Sequence, residues 1–316
     1  MSLALLFSPQ GSQTVGMGRA LAAVSDAARS VYEAADAALG WPVSTTCWEG
    51  PAELLDETRQ TQPCLLATSV ACLRALEEVE GALPATFVAG HSVGEYAALV
   101  AAGALDLADA LRLVARRAEL MAEHAAEGGM AAVLGLDRAA VAEVVEAVAR
   151  PTELVVANDN APGQVVISGD HDAIHRAEEP LRAAGARRVI PLTVSGPFHS
   201  PRMAPVADEL LDAFEGVTWR DAQPPVVSNV TAEPVSDART IRMLLAEQVR
   251  SPVEWVASMR LMRDAGVELF VECGPGGALA GMVRRIVPEA RVASVSDPAS
   301  LAVTRAALQV PAGRPA

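Results

Sequence analysis

The sequence predicts an α/β protein in which a small domain is inserted into a larger one that contains a parallel sheet. Short apolar runs alternate with longer segments of helical spacing along most of the 316 residues, as strand–helix units do. After the glycine pair at 128–129 the composition changes, and six shorter elements follow in the order β-α-β-β-α-β. That order is the ferredoxin-like unit. We therefore expect a large domain from residues 1–127 and 194–316, and a small ferredoxin-like domain from residues 128–193.

The first part of the large domain opens on a run of apolar residues at 3–7, which is typical of a buried strand. A second apolar run, at 86–89, leads directly into a glycine-rich turn. Helical spacing of apolar residues occupies the stretches between and after these runs. The expected elements are strands at 3–7 and 86–89 and helices at 19–39, 64–76, 95–102 and 107–125.

The same two patterns predict the remaining elements. In the small domain we expect strands at 130–135, 154–157, 164–168 and 188–194, helices at 138–148 and 171–184, and a turn at 158–162. After it we expect helices at 201–215, 237–250, 252–264 and 279–286, strands at 226–230 and 269–271, and a turn at 274–277.

Composition and charge exclude several classes of protein. With 51% hydrophobic residues and no low-complexity tract, the chain is neither collagen-like nor disordered. Its 25 basic and 39 acidic residues give a net charge of −14, which disfavours general nucleic-acid binding, because phosphate contacts need a basic face. The four cysteines lack metal-ligand spacing, so we expect reduced thiols and no metal site. We also expect no signal peptide, no membrane span and a cytoplasmic location.

The sharpest local motif is Gly-His-Ser-Val-Gly at residues 90–94, between an expected strand and an expected helix. Glycines at both ends permit a tight turn that makes the hydroxyl of Ser92 project from the backbone, as in a nucleophile elbow. The free N–H groups of the following helix point at the same place, so the amide of Val93 is a candidate oxyanion donor. The alternative interpretation is a plain glycine-rich turn without chemistry.

A nucleophilic serine needs a base, and His199 is the best candidate among five histidines. It lies in a loop after an expected strand, whereas His171 and His175 lie on a polar helix and His124 near the end of another. His91 adjoins Ser92, but neighbouring side chains should diverge. Because no acidic residue is an obvious third member, we expect a Ser–His dyad whose imidazole is oriented by a carbonyl or an amide. A structural loop histidine is the alternative.

Arg117 lies on an expected helix among apolar positions, so its guanidinium needs a partner. A carboxylate would fit it in a bidentate manner. The alternatives are an intrahelical pair with Glu119 or Glu123, or exposure to solvent.

Taken in order, these segments and several others resemble the malonyl-CoA:acyl-carrier-protein transacylase family, which includes the acyltransferase domains of polyketide synthases. The resemblance spans roughly residues 3–297 and rests on the ordered set, since any one segment is weak. The matching segments are Phe-Ser-Pro-Gln-Gly-Ser-Gln at 7–13, Thr-Gln-Pro at 61–63, Gly-His-Ser-Val-Gly-Glu-Tyr at 90–96, Arg117 four residues before Met121, Gly-Met-Ala-Ala-Val at 129–133, Ala-Asn-Asp-Asn-Ala-Pro-Gly-Gln at 157–164, Phe-His-Ser at 198–200, Ser-Asn-Val at 228–230, Gln248 with Pro-Val-Glu-Trp at 252–255, and Glu-Cys-Gly-Pro-Gly at 272–276.

The resemblance implies a hydrolase-like large domain and a role for each matching residue. Ser92 would be the nucleophile and His199 the base, with an oxyanion hole formed by the N–H groups of Gln10 and Val93. Arg117 would hold the free carboxylate of a malonyl-type group. The remaining residues implied to bind substrate are Gln62, Phe198, Gln248, Met121 and His91, of which Gln248 also orients the histidine through its main-chain carbonyl.

Two departures from the family pattern affect the oxyanion and carrier sites. Pro9 replaces a glycine beside Gln10, which fixes φ at that position and removes an N–H. Gly277 stands where a lysine is common. The bulk of Phe198 beside the histidine favours malonyl over methylmalonyl, although a pocket discriminates one methyl group by only about 1–3 kcal/mol.

The sequence therefore predicts an acyltransferase that moves a malonyl-type group from acyl-CoA to an acyl carrier protein, without a bound cofactor, for polyketide or fatty-acid synthesis. The carrier would dock on an arginine-bearing patch, with candidates at Arg187, Arg188, Arg202, Arg284 and Arg285. The alternatives are a hydrolase that clears stalled acyl groups from carriers, the malonyl-loading subunit of a malonate decarboxylase, and a non-catalytic carrier-binding module.

Overall fold

The computed structural model describes residues 2–125 and 128–310, and these contain ten strands and fourteen α-helices. The strands are β1 (Leu3–Phe7), β2 (Ala85–Gly90), β3 (Gly128–Leu134), β4 (Leu154–Ala161), β5 (Gln164–Asp170), β6 (Arg188–Pro191), β7 (Val226–Val227), β8 (Pro234–Val235), β9 (Leu269–Cys273) and β10 (Arg291–Val295). The helices are α1 (Arg19–Val24), α2 (Asp26–Leu39), α3 (Val43–Glu49), α4 (Ala52–Leu55), α5 (Thr58–Glu80), α6 (Gly94–Ala101), α7 (Leu107–Glu123), α8 (Arg138–Val148), α9 (His171–Ala183), α10 (Ala204–Phe214), α11 (Ala238–Glu247), α12 (Trp255–Asp264), α13 (Ala278–Ile286) and α14 (Pro298–Leu308).

The larger sheet has the strand order β10-β9-β1-β2-β7-β8, and every neighbouring pair except β7–β8 is parallel. Phe7 at the end of β1 is in register with Gly90 of β2 and with Cys273 of β9. The carboxyl ends of these strands therefore meet at one edge of the sheet. Ligand sites of open α/β sheets form at this edge.

Both faces of the larger sheet are covered by helices, as the continuous apolar sequence of β1 requires. Leu5 and Phe7 pack into a core with α2, α5, α6 and α7, whereas Ala4 and Leu6 pack on the opposite face with α12 and α13. The central helix α5 is buried over most of its length, including Pro63 within it. These two layers hold the strand ends rigidly at the site edge.

The smaller sheet is antiparallel, with the order β4-β5-β3-β6, and its elements follow the predicted sequence β-α-β-β-α-β. The α/β fold with a ferredoxin-like sheet is thus confirmed. All four strands lie between Gly128 and Pro191. The exact division into domains stays a prediction, and the proposed limit at residue 127 falls outside the described residues.

Several predicted elements are wrong in detail, among them the strand expected at 188–194, which ends at Pro191. The single helix expected at 19–39 is two helices, because Ser25 adopts an extended backbone and caps α2 by accepting a hydrogen bond from the N–H of Ala28. The turn expected at 158–162 is mostly strand, since β4 continues to Ala161 by pairing with β5 through two irregularities. The strand expected at 226–230 ends at Val227.

The elements that the sequence patterns missed are mostly short or peripheral. They are α3, α4, β8, β10 and α14. The four cysteines are buried free thiols, as expected. Across residues 2–125 and 128–310, no helix combines the length and the apolar character needed to cross a membrane.

Candidate active site

The turn between β2 and α6 is an elbow that two glycines make possible. A Cβ added to Gly90 would lie 1.9 Å from the carbonyl carbon of Gly94, and a Cβ added to Gly94 would lie 2.2 Å from the carbonyl oxygen of Phe7. Real Cβ atoms do not approach other atoms this closely, so any larger residue would push the helix away from the strands. The glycines of the motif therefore let α6 start directly against the sheet edge.

Ser92 sits at the apex of this elbow with a φ of 54°, in the left-handed region that non-glycine residues rarely adopt. Such a conformation costs on the order of 1–3 kcal/mol and persists where the surroundings enforce it. Here the N–H of Ser92 donates to Oδ1 of Asn229 at 2.7 Å, and the Asn229 amide donates to the Gly90 carbonyl at 2.7 Å. Nε2 of Gln248 donates to the Ser92 carbonyl at 3.0 Å. Both polar main-chain groups of the serine are thus fixed.

The imidazole of His199 meets the serine as predicted, with 2.8 Å between its Nε2 and Oγ of Ser92. Its Nδ1 faces two main-chain carbonyl oxygens, that of Gln248 at 2.8 Å and that of Ser251 at 3.3 Å. Because carbonyl oxygens only accept, the proton lies on Nδ1, and the Nε2 lone pair accepts the hydroxyl proton of Ser92. A main-chain carbonyl therefore occupies the position that an aspartate holds in a Ser-His-Asp triad.

His199 is 4% exposed, and this burial, together with the nearby charge of Arg117, lowers its pKa to about 3. Burial disfavours the protonated imidazole, and a cation at short range does so again. In the empty site the ring is therefore neutral at physiological pH, which is the state a general base requires.

His91 does not face the serine, in agreement with the expected divergence of adjacent side chains. Its Nε2 lies 2.7 Å from Oδ1 of Asn160 on β4, and burial lowers the pKa of His91 to about 4. This neutral ring instead lines the cavity beside Asn160.

Arg117 on α7 is 1% exposed, and its guanidinium contacts Ser92. Its Nη2 donates to Oγ of Ser92 at 3.1 Å and to Oε1 of Gln248 at 3.0 Å, and its Nη1 donates to Oε1 of Gln62 at 2.6 Å. Two alternatives for Arg117, an intrahelical ion pair and exposure to solvent, are wrong. Glu119 pairs with Arg116 and Glu123 with Arg59, and Arg117 is buried. Amide oxygens thus hold a buried guanidinium without neutralising it.

The remaining candidates surround this group in two layers. Gln62 and Gln248 are fully buried behind the serine, and Nε2 of Gln62 lies 3.5 Å from Sδ of Met121. Met121 and Phe198 face the cavity. The main-chain N–H groups of Gln10 and Val93 have no hydrogen-bond acceptor among the described residues, so both are free to take an external oxygen. Their role in an oxyanion hole stays a prediction.

A cavity of ≈ 410 Å³ opens at Ser92, between the carboxyl edge of the larger sheet and one face of the smaller one. The large-sheet side contributes Gln10, His91 and Ser92. The small-sheet side and the following loop contribute apolar walls. Those wall residues are Met130, Val166, Leu192, Val194 and Phe198.

Sequence reasoning missed three residues that bind the site together. Asn229 ties the elbow to β7, Asn160 orients His91, and Glu95 on α6 accepts hydrogen bonds from Nε2 of Gln248 at 2.6 Å and from the N–H of Asn229 at 3.3 Å. Asn160 and Asn229 lie in segments that resemble the transacylase family, but the sequence analysis assigned them no function. Glu95 directly follows the Gly-His-Ser-Val-Gly motif, and a charged residue in the first turn of an otherwise apolar helix was the signal.

A family model described as "Acyl transferase domain" matches residues 4–303. The chain belongs to the acyl transferase domain family. Its catalytic class is therefore that of an acyltransferase. The "Malonyl CoA-acyl carrier protein transacylase" of Bacillus subtilis (strain 168) is 43% identical over 302 residues, which cover 95% of each chain. The protein of the same name from Escherichia coli (strain K12) is 42% identical over 301 residues, covering 95% of this acyltransferase and 97% of the relative.

Solved structures share the fold of this acyltransferase over nearly its whole length. The acyl-carrier-protein S-malonyltransferase of Burkholderia pseudomallei 1710b superposes with a TM-score of 0.93 at 41% identity, covering 96% of this chain and 99% of that one. A malonyl-transacylase in complex with its type II PKS acyl-carrier protein superposes with a TM-score of 0.92 at 40% identity, covering 96% and 98%. The resemblance found in the sequence is thereby confirmed at the level of family and fold.

Proposed function

We propose that this acyltransferase moves a malonyl group from CoA to the pantetheine thiol of an acyl carrier protein through an ester on Ser92. The observation that carries the proposal is the placement of a buried guanidinium, that of Arg117, 3.1 Å from the Oγ atom that also contacts His199. A cation at this point serves an acyl group that has a second, charged end. The names of the relatives, which are malonyl transacylases, support the same substrate.

In the first half-reaction, Oγ of Ser92 attacks the thioester carbonyl of malonyl-CoA while Nε2 of His199 takes the hydroxyl proton. The N–H groups of Gln10 and Val93 receive the oxyanion, and Arg117 stabilises negative charge that develops on Oγ. Collapse of the tetrahedral intermediate breaks the carbon–sulfur bond. The proton on His199 goes to the departing CoA sulfur, which leaves the malonyl ester on Ser92.

Arg117 then holds the free carboxylate of the malonyl group by charge-assisted hydrogen bonds. The buried guanidinium has two amide oxygens as partners, so a carboxylate adds the charge that the site lacks. The same carboxylate offsets the effect of Arg117 on His199 and so raises the pKa of the bound imidazole. A malonyl donor thus makes the base stronger, whereas an acetyl donor leaves it weak.

In the second half-reaction the carrier thiol enters by the route that CoA left. Nε2 of His199 takes the thiol proton, the sulfur attacks the ester carbonyl, and the proton returns to Oγ of Ser92 as the ester breaks. The apolar walls of the cavity keep water from the malonyl ester on Ser92 until the carrier thiol attacks it. No bound cofactor takes part, since the pantetheine arm belongs to the partner.

Two further features fit a malonyl donor and an acidic carrier. The ring of Phe198 lies in the cavity wall, where it fills the space that a larger extender unit would need. Arg284 and Arg285 lie on α13, the helix that also carries the cavity residue Met282, and we propose that Arg284 contributes to carrier docking, whereas the guanidinium of Arg285 donates to Gln164 and to the Pro162 carbonyl oxygen. The partner pathway is fatty-acid or polyketide synthesis, as for the polyketide carrier complex among the structural relatives.

The test is transfer from malonyl-CoA to a holo acyl carrier protein, followed by mass spectrometry of the carrier and by release of free malonate. The wild type should malonylate the carrier, and Ser92→Ala and His199→Ala should lose at least about a thousandfold in rate, as loss of a nucleophile or its base does. Malonylation that survives Ser92→Ala would overturn the serine ester. Release of malonate that is faster than carrier loading would identify a hydrolase instead.

A further inference from the structure

Gln248 links the parts of the site, and its amide works only in one orientation. Its Oε1 accepts from Nη2 of Arg117 at 3.0 Å, while its Nε2 donates to the Ser92 carbonyl at 3.0 Å and to Oε2 of Glu95 at 2.6 Å. A flipped amide would place donors against the guanidinium and an oxygen against two acceptors. The orientation of this one side chain therefore sets one of the two amide contacts that hold Arg117, beside the contact from Gln62.

The hydrogen bond to Glu95 is the shortest of the contacts that select this orientation of the Gln248 amide. Glu95 is 4% exposed and lies on the first turn of α6. The distance of 2.6 Å from Nε2 of Gln248 to Oε2 of Glu95 is shorter than the 3.0 Å to the Ser92 carbonyl oxygen. Burying a carboxyl in a site that binds an anion costs free energy, which indicates that Glu95 has a function there.

We propose that Glu95 is a positioning residue whose side-chain oxygen fixes the Gln248 amide and thereby holds the Arg117 guanidinium at Ser92 for a carboxylated acyl group. This inference rests on the proposed function and extends it to a residue that touches neither substrate nor Ser92 Oγ. Glu95 acts as a hydrogen-bond acceptor towards Gln248, and its formal charge is not required. Burial raises the pKa of Glu95 to about 7, while the hydrogen bond from Gln248 acts in the opposite direction, and a protonated carboxyl still offers one acceptor oxygen.

Two variants of similar shape separate the acceptor from the rest of the side chain. Glu95→Gln keeps a carbonyl oxygen that can accept from both Gln248 and the N–H of Asn229. Glu95→Met keeps the length and volume but removes every acceptor. Each is assayed for kcat and KM with malonyl-CoA and with acetyl-CoA, and the ratio of the two kcat/KM values is compared.

We expect Glu95→Met to lower the malonyl-to-acetyl ratio by about tenfold, mainly through a higher KM for malonyl-CoA, as loss of the hydrogen bond that holds the Gln248 amide predicts. Glu95→Gln should stay within about threefold of the wild type. In an Arg117→Met background, Glu95→Met should change the ratio no further, because the two act through one chain of contacts. If Glu95→Met does not fold, Glu95→Ala replaces it with the same expectation.

The control for general destabilisation is Thr304→Val, which removes a buried hydrogen bond from α14 to the Ser294 carbonyl far from the site. It should lower Tm and leave the ratio unchanged. An unchanged ratio in Glu95→Met, or an equal loss in Glu95→Gln, would overturn the positioning role. A wild type that does not prefer malonyl-CoA, or an Arg117→Met variant that keeps the preference, would instead overturn the proposed function.

Discussion

Replacing Arg117 by methionine removes the cation beside Ser92 while filling much of the same buried space. In the wild type the guanidinium lies 3.1 Å from Oγ of Ser92 and has amide oxygens of Gln62 and Gln248 as partners. In a malonyl ester on Oγ, one methylene group separates the ester carbonyl from the free carboxylate. Among residues 2–125 and 128–310, Arg117 is the one buried arginine that contacts Ser92, so we expect its guanidinium to bind this carboxylate.

The size of the effect follows from the burial of the pair. Opposite charges about 4 Å apart attract by roughly 4 kcal/mol at an effective dielectric constant of about 20. Loss of hydration on both ions offsets part of this attraction. A net loss of about 2–3 kcal/mol corresponds to a decrease of about 30- to 150-fold in kcat/KM for malonyl-CoA. Acetyl-CoA has no carboxylate, so it loses only the contact between Arg117 and Oγ of Ser92, and its kcat/KM should fall by much less than that of malonyl-CoA.

The assay is steady-state carrier loading with each donor, with Arg116→Met as the matched control. Arg116 is the adjacent residue, is half-buried, and pairs with Glu119 and Glu209. The control should behave as the wild type with both donors. If Arg117→Met lowers kcat/KM equally for malonyl-CoA and acetyl-CoA, the guanidinium supports the fold or the serine and does not select the carboxylate.

Three further predictions concern the elbow, the base and the cavity wall. Gly94→Ala should destabilise the protein by about 2–3 kcal/mol in urea unfolding, because its Cβ would lie 2.2 Å from the Phe7 carbonyl oxygen; a loss below about 0.5 kcal/mol would show that the elbow has room. The imidazole of His199 should remain neutral by nitrogen NMR down to pH 5, since burial and Arg117 lower its pKa to about 3, and Arg117→Met should raise that pKa; a midpoint near the usual pH of about 6.5 would contradict both causes. Phe198→Ala should raise the kcat/KM for methylmalonyl-CoA relative to malonyl-CoA by about tenfold, measured in competition; an unchanged ratio would show that the ring does not limit the acyl group.

The local part of the site was predictable because it depends on short-range geometry. The spacing of two glycines about Ser92 permits the elbow, and the position of His199 in a loop after a strand made it the predicted base. Arg117 was recognisable from its placement among apolar residues, although its true partners are amides and not acids. The elbow is set by residues close to one another in the chain, whereas the contact between Ser92 and His199 joins residues 107 positions apart.

The supporting contacts were not predictable, because they join residues far apart in sequence. Glu95 and Gln248 are separated by 153 positions, and Ser92 and Asn229 by 137. The apolar periodicity of a sequence does not show that such residues are neighbours. They come together because the carboxyl ends of the parallel strands meet at one edge of the larger sheet. The same limit explains β4, whose polar sequence predicts a turn until pairing with β5 extends the strand to Ala161.

The central claim is that Ser92 carries a malonyl ester selected by Arg117. The most direct measurement is the intact mass of the protein after mixing with malonyl-, methylmalonyl- and acetyl-CoA in competition, with Ser92→Ala and Arg117→Met alongside. We expect a malonyl adduct on the wild type, no adduct on Ser92→Ala, and a shift towards acetyl on Arg117→Met. A malonyl adduct that persists on Ser92→Ala, or an acetyl adduct that predominates on the wild type, would contradict the account.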